Sequence, residues 1–98
     1  MEKAVAIEKL QQRTDAMKRM GATTLYMFGS TARDEALISS DLDLFIDYDP
    51  TKHFSLFDLV GIKQFLEEEL SINVDVTTRT SLHPMLKSDI EQSAIRIF

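Results

Sequence analysis

The sequence contains no cysteine and no tryptophan, only three glycines and two prolines, and no long uninterrupted hydrophobic run. The absence of cysteine excludes disulfide bonds and zinc sites that are built on thiolates. Because no apolar segment approaches the length needed to cross a bilayer, we expect no contact with a membrane. The first residues also lack the basic and then apolar pattern of a secretory signal. Together these absences predict a cytoplasmic protein.

Positive charge is also scarce, because 11 lysines and arginines stand against 16 aspartates and glutamates, giving a formal net charge of −5. Proteins that bind duplex DNA normally present a clustered basic surface, so we expect no duplex DNA partner. The acidic excess is compatible with a bound divalent cation.

At 98 residues, of which 44% are hydrophobic, the chain can bury one core, and we expect residues 1–98 to form a single domain.

Helical and strand-like patterns alternate along the chain. Helical spacing of apolar residues predicts helices over residues 2–20, 31–35, 54–70 and 84–93. Runs rich in β-formers predict strands over 24–28, 42–48, 72–76 and 95–98, and loops are expected at 37–40 and 77–82. This order predicts an α+β (two-layer α/β) fold, in which helices pack on a small mixed β-sheet.

The long helix over 54–70 has a clear apolar side and a run of three glutamates. The residues expected to form its buried stripe are Leu56, Leu59, Phe65, Leu66 and Leu70. Glu67 to Glu69 are expected to be a solvated patch on the opposite side.

The most specific pattern is a glycine-serine turn followed at a fixed distance by paired acids. Gly29-Ser30 ends the first predicted strand, and Asp41-x-Asp43 begins the second strand after ten intervening residues. Because residues i and i+2 of a strand share a face, Asp41 and Asp43 point the same way, about 6–7 Å apart along the chain. Asp75 alternates with valines in the third predicted strand and faces away from them by the same logic.

If the second and third strands are neighbours, the side chains of Asp41, Asp43 and Asp75 converge. Two like charges about 4 Å apart repel by roughly 4 kcal/mol at an effective dielectric near 20, and protonation or a divalent cation relieves that repulsion. Oxygen ligands without nearby histidine or cysteine favour Mg²⁺ or Mn²⁺. A pair of such ions can stabilise both the attacking and the leaving oxygen of a phosphoryl transfer.

The turn at Gly29-Ser30 supplies features that suit a phosphate. Glycine has no Cβ, so a phosphate can approach the backbone closely. Ser30 is predicted to be the N-cap of the helical turn that follows, where free N–H groups and the helix dipole favour an anion. Together with the acids, this turn predicts metal-dependent chemistry on a nucleoside triphosphate.

Gly29-Ser30-x10-Asp41-x-Asp43, with Asp75 following, resembles the signature of the DNA polymerase β-like nucleotidyltransferase superfamily. Residues 27–33 and 40–44 are most similar to the minimal nucleotidyltransferases of bacteria and archaea, and the element order matches as well. The resemblance implies the nucleotidyltransferase fold. It also implies transfer of a nucleoside monophosphate, with AMP from ATP as the expected case, to a hydroxyl acceptor while pyrophosphate leaves.

The resemblance also implies a role for each motif residue. By analogy, Asp41 and Asp43 bind both metal ions, while Asp75 binds the catalytic metal and helps to deprotonate the acceptor hydroxyl. Gly29 and Ser30 hold the β- and γ-phosphates. The sequence departs from the family at Asp34, where many members have glycine, so an additional acid lies near the phosphate turn.

Two arginines and one further acid have alternative interpretations. Arg33 is predicted to contact phosphate, with an ordinary ion pair to Asp34 or Glu35 as the alternative. Arg79, just beyond the Asp75 strand, is predicted to contact the nucleotide. Asp47 continues the acidic face as a secondary contact or as a solvent-exposed residue.

Many minimal members of the family pair with a small helical HEPN-type protein encoded beside them, and some add AMP to a tyrosine of that protein. The resemblance therefore implies a HEPN-type partner, or self-association. Two other interpretations remain open. The chain could be a non-catalytic antitoxin that neutralises a partner by contact alone, or a nucleotidyltransferase that acts on a small molecule such as a drug or a sugar.

Overall fold

The computed structural model describes residues 1–35 and 41–98, so the loop predicted at 37–40 lies outside the described residues. The helices are α1 (Lys3–Gln11), α2 (Thr14–Arg19), α3 (Gly29–Ala32), α4 (Leu56–Leu70) and α5 (Pro84–Ser93). The strands are β1 (Ala22–Phe28), β2 (Leu42–Tyr48), β3 (Val74–Thr78) and β4 (Ile95–Arg96), and a 3₁₀ turn spans Arg79–Ser81.

The strands form one mixed sheet in the order β3-β2-β1-β4. β1 is antiparallel to both β2 and β4, whereas β2 and β3 are parallel. Parallel neighbours need a crossover connection, and α4 lies in that connection between β2 and β3. The predicted α+β fold with a small mixed sheet is confirmed.

One face of the sheet is covered by helices and forms the core. The side chains of this face and of the helices packed on it are fully or almost fully buried: Leu25, Met27, Leu42, Leu44 and Ile46 from the strands, and Ala6, Leu10, Met17, Ile62 and Leu66 from α1, α2 and α4. Alternation along the strands sends Tyr26, Asp43, Phe45 and Asp47 to the other face. We call this second surface the acidic face.

The helix predicted over residues 2–20 is two helices. Arg13, with φ −107° and ψ 13°, leaves the helical region between α1 and α2. Its guanidinium Nη1 donates to the carbonyl oxygen of Lys9 at 2.7 Å, which satisfies a backbone acceptor at the end of α1. The break lets both helices follow the curved surface of the sheet, because Leu10 and Met17 are each fully buried.

The buried stripe of α4 lies further toward its C-terminus than the sequence predicted. Leu56 is 73% exposed, whereas Ile62, which was not predicted to be in the stripe, is fully buried with Leu66. At 1.5 Å per residue the helix is about 22 Å long, whereas the five residues of β3 span only about 16 Å. The first turn of α4 therefore extends beyond the strand that the helix packs against.

Within residues 1–35 and 41–98, no helix combines the length and the apolar character that crossing a membrane requires.

Candidate active site

The sheet register places two of the three predicted acids side by side. Asp43 of β2 is the direct partner of Asp75 of β3, and on its other side it is the partner of Phe28, the residue before Gly29. Neighbouring strands lie about 4.8 Å apart and register partners project to the same face. Asp43 is therefore flanked by Asp75 on one side and by the glycine-serine turn on the other.

Gly29 and Asp43 are in such close contact that no larger residue fits between them. A Cβ built on Gly29 would collide with the Oδ2 atom of Asp43, and the φ angle of Gly29 is +75°, a left-handed value that side chains disfavour. Two independent requirements, space and backbone conformation, thus select glycine at this position. The turn that is predicted to hold phosphate lies directly against a predicted metal ligand.

The electrostatic surroundings of Asp43 show that the acids act on one another. Burial raises the pKa of the Asp43 carboxyl, and the negative charges of Asp75 and then Asp41 raise it further. The nearby positive charge of Arg33 partly offsets this increase in the pKa. Asp43 is half-buried while Asp41 and Asp75 are exposed, so the site opens to solvent at one edge of the acidic face.

The carboxylates of the site are ligands that suit a hard divalent cation, although their side chains do not converge on one point. Within the described ranges, no three histidine, cysteine, aspartate or glutamate side chains are close enough together to form a ready cage. The donor set nevertheless consists of carboxylates, and burial together with the charges of Asp75 and Asp41 raises the pKa of Asp43, a cost of ionisation that a cation relieves. The assignment of Asp41, Asp43 and Asp75 as metal ligands stays a prediction.

The phosphate turn differs in one detail from the expectation. α3 begins at Gly29 with Phe28 as its N-cap, so Ser30 lies in the first turn of the helix and is not the capping residue. The helix has only four residues, and Asp34 follows it in the left-handed conformation with φ 59°. The capping position that was predicted for Ser30 is therefore taken by Phe28.

Arg33 lies on the exposed side of this turn. Its Nε atom is 3.2 Å from the Oε2 atom of Glu35, and the two side chains are 55% and 64% exposed. The ion pair that was the alternative for Arg33 is therefore present. An exposed pair of this kind is weak, so Arg33 can exchange Glu35 for a phosphate at little cost, and the predicted phosphate contact stays a prediction.

Arg79 lies on the acidic face in a dense set of contacts. Its Nε and Nη2 atoms donate to the two carboxylate oxygens of Asp47 at 2.8 and 2.9 Å, and its Nη1 donates to Glu91 at 2.6 Å. The guanidinium also lies 4.9 Å from the ring centre of Tyr26 and 5.0 Å from that of Phe45. The nucleotide contact predicted for Arg79 stays a prediction, and the structure shows that protein groups already occupy this guanidinium.

The same contacts give Asp47 a role that the sequence left open. Hydrogen bonds from Arg79 hold the pKa of Asp47 below its ordinary value, and the Thr24 hydroxyl adds a bond of 2.7 Å. The strand alternation that places Asp47 on the face of Asp43 was visible in the sequence. Its partners were not, because Thr24 and Arg79 come from other elements, 23 and 32 residues away in the chain.

Sequence reasoning also missed a pair on α4. Lys63 and Glu67, spaced i and i+4, both bond to the backbone of Val74, the residue before Asp75. The spacing was the available signal, but Glu67 was taken as part of a solvated patch.

Known proteins with the same fold and sequence pattern were found by comparison. The family model that describes the nucleotidyltransferase domain matches residues 7–97. The protein named "Putative protein adenylyltransferase MJ0435" of Methanocaldococcus jannaschii is 42% identical over 77 residues, which cover 79% of this chain and 81% of that protein.

Two solved structures extend the comparison. A structure described as a "putative minimal nucleotidyltransferase" matches with a TM-score of 0.75 and 33% identity, covering 97% of this chain and 95% of the other. A chain of a complex between a tri-AMPylated HEPN toxin of Shewanella oneidensis and an MNT antitoxin matches with a TM-score of 0.64. That match has 14% identity and covers 90% of this chain and 68% of the other, so it shows a shared fold.

The matched family model spans nearly the whole chain, and the relative from Methanocaldococcus jannaschii is similar over most of its length. The fold agrees with that match, since the solved minimal nucleotidyltransferase shares it over nearly the whole chain. The chain therefore belongs to the nucleotidyltransferase domain family.

Proposed function

We propose that this protein transfers AMP from ATP to a hydroxyl group, and that the acceptor is a tyrosine of a HEPN-type partner protein. The relative with 42% identity carries the name of a protein adenylyltransferase. The complex that shares the fold contains an AMPylated HEPN toxin and an MNT antitoxin. A cytoplasmic location, where ATP is available, is part of the same proposal.

The observation that carries the proposal is the position of Asp43. Its register partner is Asp75, and its carboxylate lies directly against Gly29, so acids on two strands meet the turn in one place. An arrangement that only stabilised the fold would gain nothing from a half-buried Asp43 whose pKa is raised by burial and by the charges of Asp75 and Asp41. Such repulsion is a common property of sites that bind cations or perform acid–base chemistry.

In this proposal Asp41, Asp43 and Asp75 would hold Mg²⁺ or Mn²⁺. The cation would neutralise phosphate charge and make the acceptor hydroxyl more acidic. Gly29 admits the triphosphate to the backbone, the Ser30 hydroxyl donates a hydrogen bond to a phosphate oxygen, and Arg33 offers its guanidinium.

The transfer itself exchanges one phosphorus–oxygen bond for another. The acceptor oxygen attacks the α-phosphorus of ATP, and the bond from that phosphorus to the oxygen of the β-phosphate breaks. Pyrophosphate leaves with the bonding electrons, while the carboxylate of Asp75 takes the proton of the acceptor hydroxyl. The products are the AMPylated acceptor and pyrophosphate.

The proposal is tested by incubating the protein with ATP labelled at the α-phosphate, Mg²⁺ and the protein encoded by the neighbouring gene. We expect label on that protein, and no label when EDTA replaces Mg²⁺. Asp41→Asn and Asp43→Asn should each abolish labelling while circular dichroism shows an intact fold. Activity retained in either variant would contradict the roles assigned to these carboxylates.

A second function, neutralisation of a partner by contact alone, is favoured by the exposed apolar side chains. Leu56 and Phe57 of α4 are 73% and 87% exposed, and Met85 of α5 is 84% exposed. Apolar surface of this kind is typical of protein contacts. If Asp43→Asn still protects cells from the partner, contact alone is sufficient, whereas loss of protection supports catalysis.

A further inference from the structure

The strand that carries Asp75 is an edge strand of the described sheet, and α4 occupies the outward backbone groups of its first residue, Val74. The Oε2 atom of Glu67 accepts a hydrogen bond from the Val74 N–H at 3.1 Å. The Nζ atom of Lys63 donates to the Val74 carbonyl oxygen at 2.9 Å and to Glu67 Oε2 at 2.7 Å. Lys63 and Glu67, which we call the edge pair, thus complete the hydrogen bonding of Val74 on the side of β3 where, within residues 1–35 and 41–98, no further strand pairs with it.

The backbone around Val74 is also fixed from two other directions. Toward β2, the N–H of Leu42 donates to the carbonyl oxygen of Asn73 at 3.1 Å. Toward the core, the side chain of Val74 is 2% exposed and packs among the buried apolar residues. The backbone immediately before Asp75 is therefore held by β2, by the core and by the edge pair.

Asp75 itself depends on this backbone, because its side chain is exposed to solvent. Alternation along a strand fixes the direction of each side chain from the orientation of its neighbour. A rotation or a shift of Val74 would move the Asp75 carboxylate away from its register partner Asp43.

We propose that Lys63 and Glu67 are positioning residues that hold Asp75 opposite Asp43. A pair at i and i+4 on a helix often links only its own two side chains. Here both side chains also form hydrogen bonds with the backbone of the strand that carries Asp75, the predicted catalytic acid. The expected effect of the edge pair on AMP transfer rests on the proposed function. The expected effect on the backbone of β3 does not.

The effect on the strand is measured by amide hydrogen exchange in metal-free protein. Glu67→Ala removes the acceptor of the Val74 N–H, so we expect exchange at Val74 to accelerate by roughly 2- to 10-fold. Glu67→Gln keeps a carbonyl oxygen as acceptor and should stay close to wild type. Glu68→Ala, which removes the same charge from an exposed neighbouring position of α4, is the matched control.

The effect on the site is measured by AMP transfer and by binding of Mn²⁺ alone. For Glu67→Ala we expect kcat to fall by roughly 10- to 100-fold, the range typical of groups that orient metal ligands, and Mn²⁺ affinity to weaken. The KM for ATP should change little, because the edge pair does not touch the phosphate turn. Glu67→Gln should keep kcat close to the wild-type value. Lys63→Met, like Glu67→Ala, should lower kcat and weaken the affinity for Mn²⁺.

Each outcome decides one part of the proposal. Unchanged exchange at Val74 in Glu67→Ala overturns the contact of the edge pair with the strand. Faster exchange with unaltered kcat and Mn²⁺ affinity overturns the positioning role. If wild-type protein neither labels an acceptor nor binds Mn²⁺, the proposed function fails and the positioning role fails with it, while the exchange result still stands.

Discussion

Gly29 is the residue at which the backbone and the proposed site depend on each other most directly. Its left-handed φ angle and its contact with Asp43 leave no room for a side chain. We expect Gly29→Ala to lower the free energy of unfolding by about 1–3 kcal/mol, because the backbone is strained and the carboxylate is displaced. The same change should abolish AMP transfer. Urea denaturation and the labelling assay measure the two effects.

The matched control is another glycine-to-alanine change in the same chain. A Cβ on Gly61, inside α4, would meet only the Met20 Cε atom, at 3.8 Å, which is an ordinary contact. Alanine is favoured over glycine in a helix by about 0.5–1 kcal/mol, so Gly61→Ala should stabilise the protein. Equal effects of the two substitutions would show that Gly29 is not specially constrained.

Asp34 shows how a departure from the family pattern is accommodated. The residue has φ 59°, in the left-handed region that glycine adopts without steric cost. Aspartate is one of the few other residues that tolerate this conformation. This backbone position would suit the glycine that the resemblance implies here, and it also tolerates the aspartate of this chain.

At the scale of elements, the sequence correctly predicted that α4 is a helix. It incorrectly placed Leu56, in the first turn of that helix, in the buried stripe. The periodicity of apolar residues is a local property, so the helix itself could be recognised. Which part of that helix rests on the sheet depends on the length and position of β3, which no local pattern encodes. The edge pair was missed for the same reason, since its partner is a backbone group of another element.

The corrected position of the stripe leads to a prediction for two apolar residues of α4. Phe57 is 87% exposed, so Phe57→Ala should change the free energy of unfolding by less than about 0.5 kcal/mol. Leu66 is fully buried, and Leu66→Ala should cost about 2–5 kcal/mol. Urea denaturation compares them directly, and a larger cost for Phe57→Ala would place the first turn of α4 in the core.

A second prediction at this scale concerns the contact of Arg79 with β2 and α5. Arg79→Met removes three charged hydrogen bonds to Asp47 and Glu91 and should cost about 1–3 kcal/mol near pH 7. The lowered pKa of Asp47 means that its stabilising contribution is present above its ordinary pKa of 3.8 and is lost as the pH falls through the lower folded value.

The difference in stability between wild type and Arg79→Met should therefore narrow in acid. Urea denaturation at several pH values between about 2.5 and 7 measures this change. Arg33→Met is the control, because the ion pair of Arg33 is exposed and should contribute less than about 1 kcal/mol. A difference that stays constant with pH would show that packing of Arg79 on the aromatic rings, and not the ion pair, provides the stability.

At the scale of the whole molecule, the proposed site is linked to overall stability. Burial and like charges raise the pKa of Asp43, so its ionised form destabilises the metal-free fold above the folded pKa. Without Mg²⁺ at pH 7, Asp43→Asn should therefore be at least as stable as wild type. A ligand at 100 times its Kd adds about 2.7 kcal/mol, so Mg²⁺ with ATP should stabilise wild type and not the variant.

Thermal denaturation with and without EDTA measures this linkage. Asp15→Asn, an exposed acid at the start of α2, serves as the control for loss of one negative charge. Stabilisation of Asp43→Asn by Mg²⁺ and ATP to the same extent as wild type would contradict binding at this site.

The sequence by itself determined the fold class and the order of the elements, and it predicted the residues of the proposed site. Strand alternation, helical periodicity and the spacing of Gly29-Ser30 from the paired acids are local patterns, so they can be recognised without a tertiary structure. The tertiary structure alone decided that Asp43 is the register partner of Asp75, that Arg79 bonds to Asp47 and Glu91, and that α4 holds the edge of β3. These contacts join residues of different elements. Packing and charge select which residues meet, and they do so only once the sheet has formed.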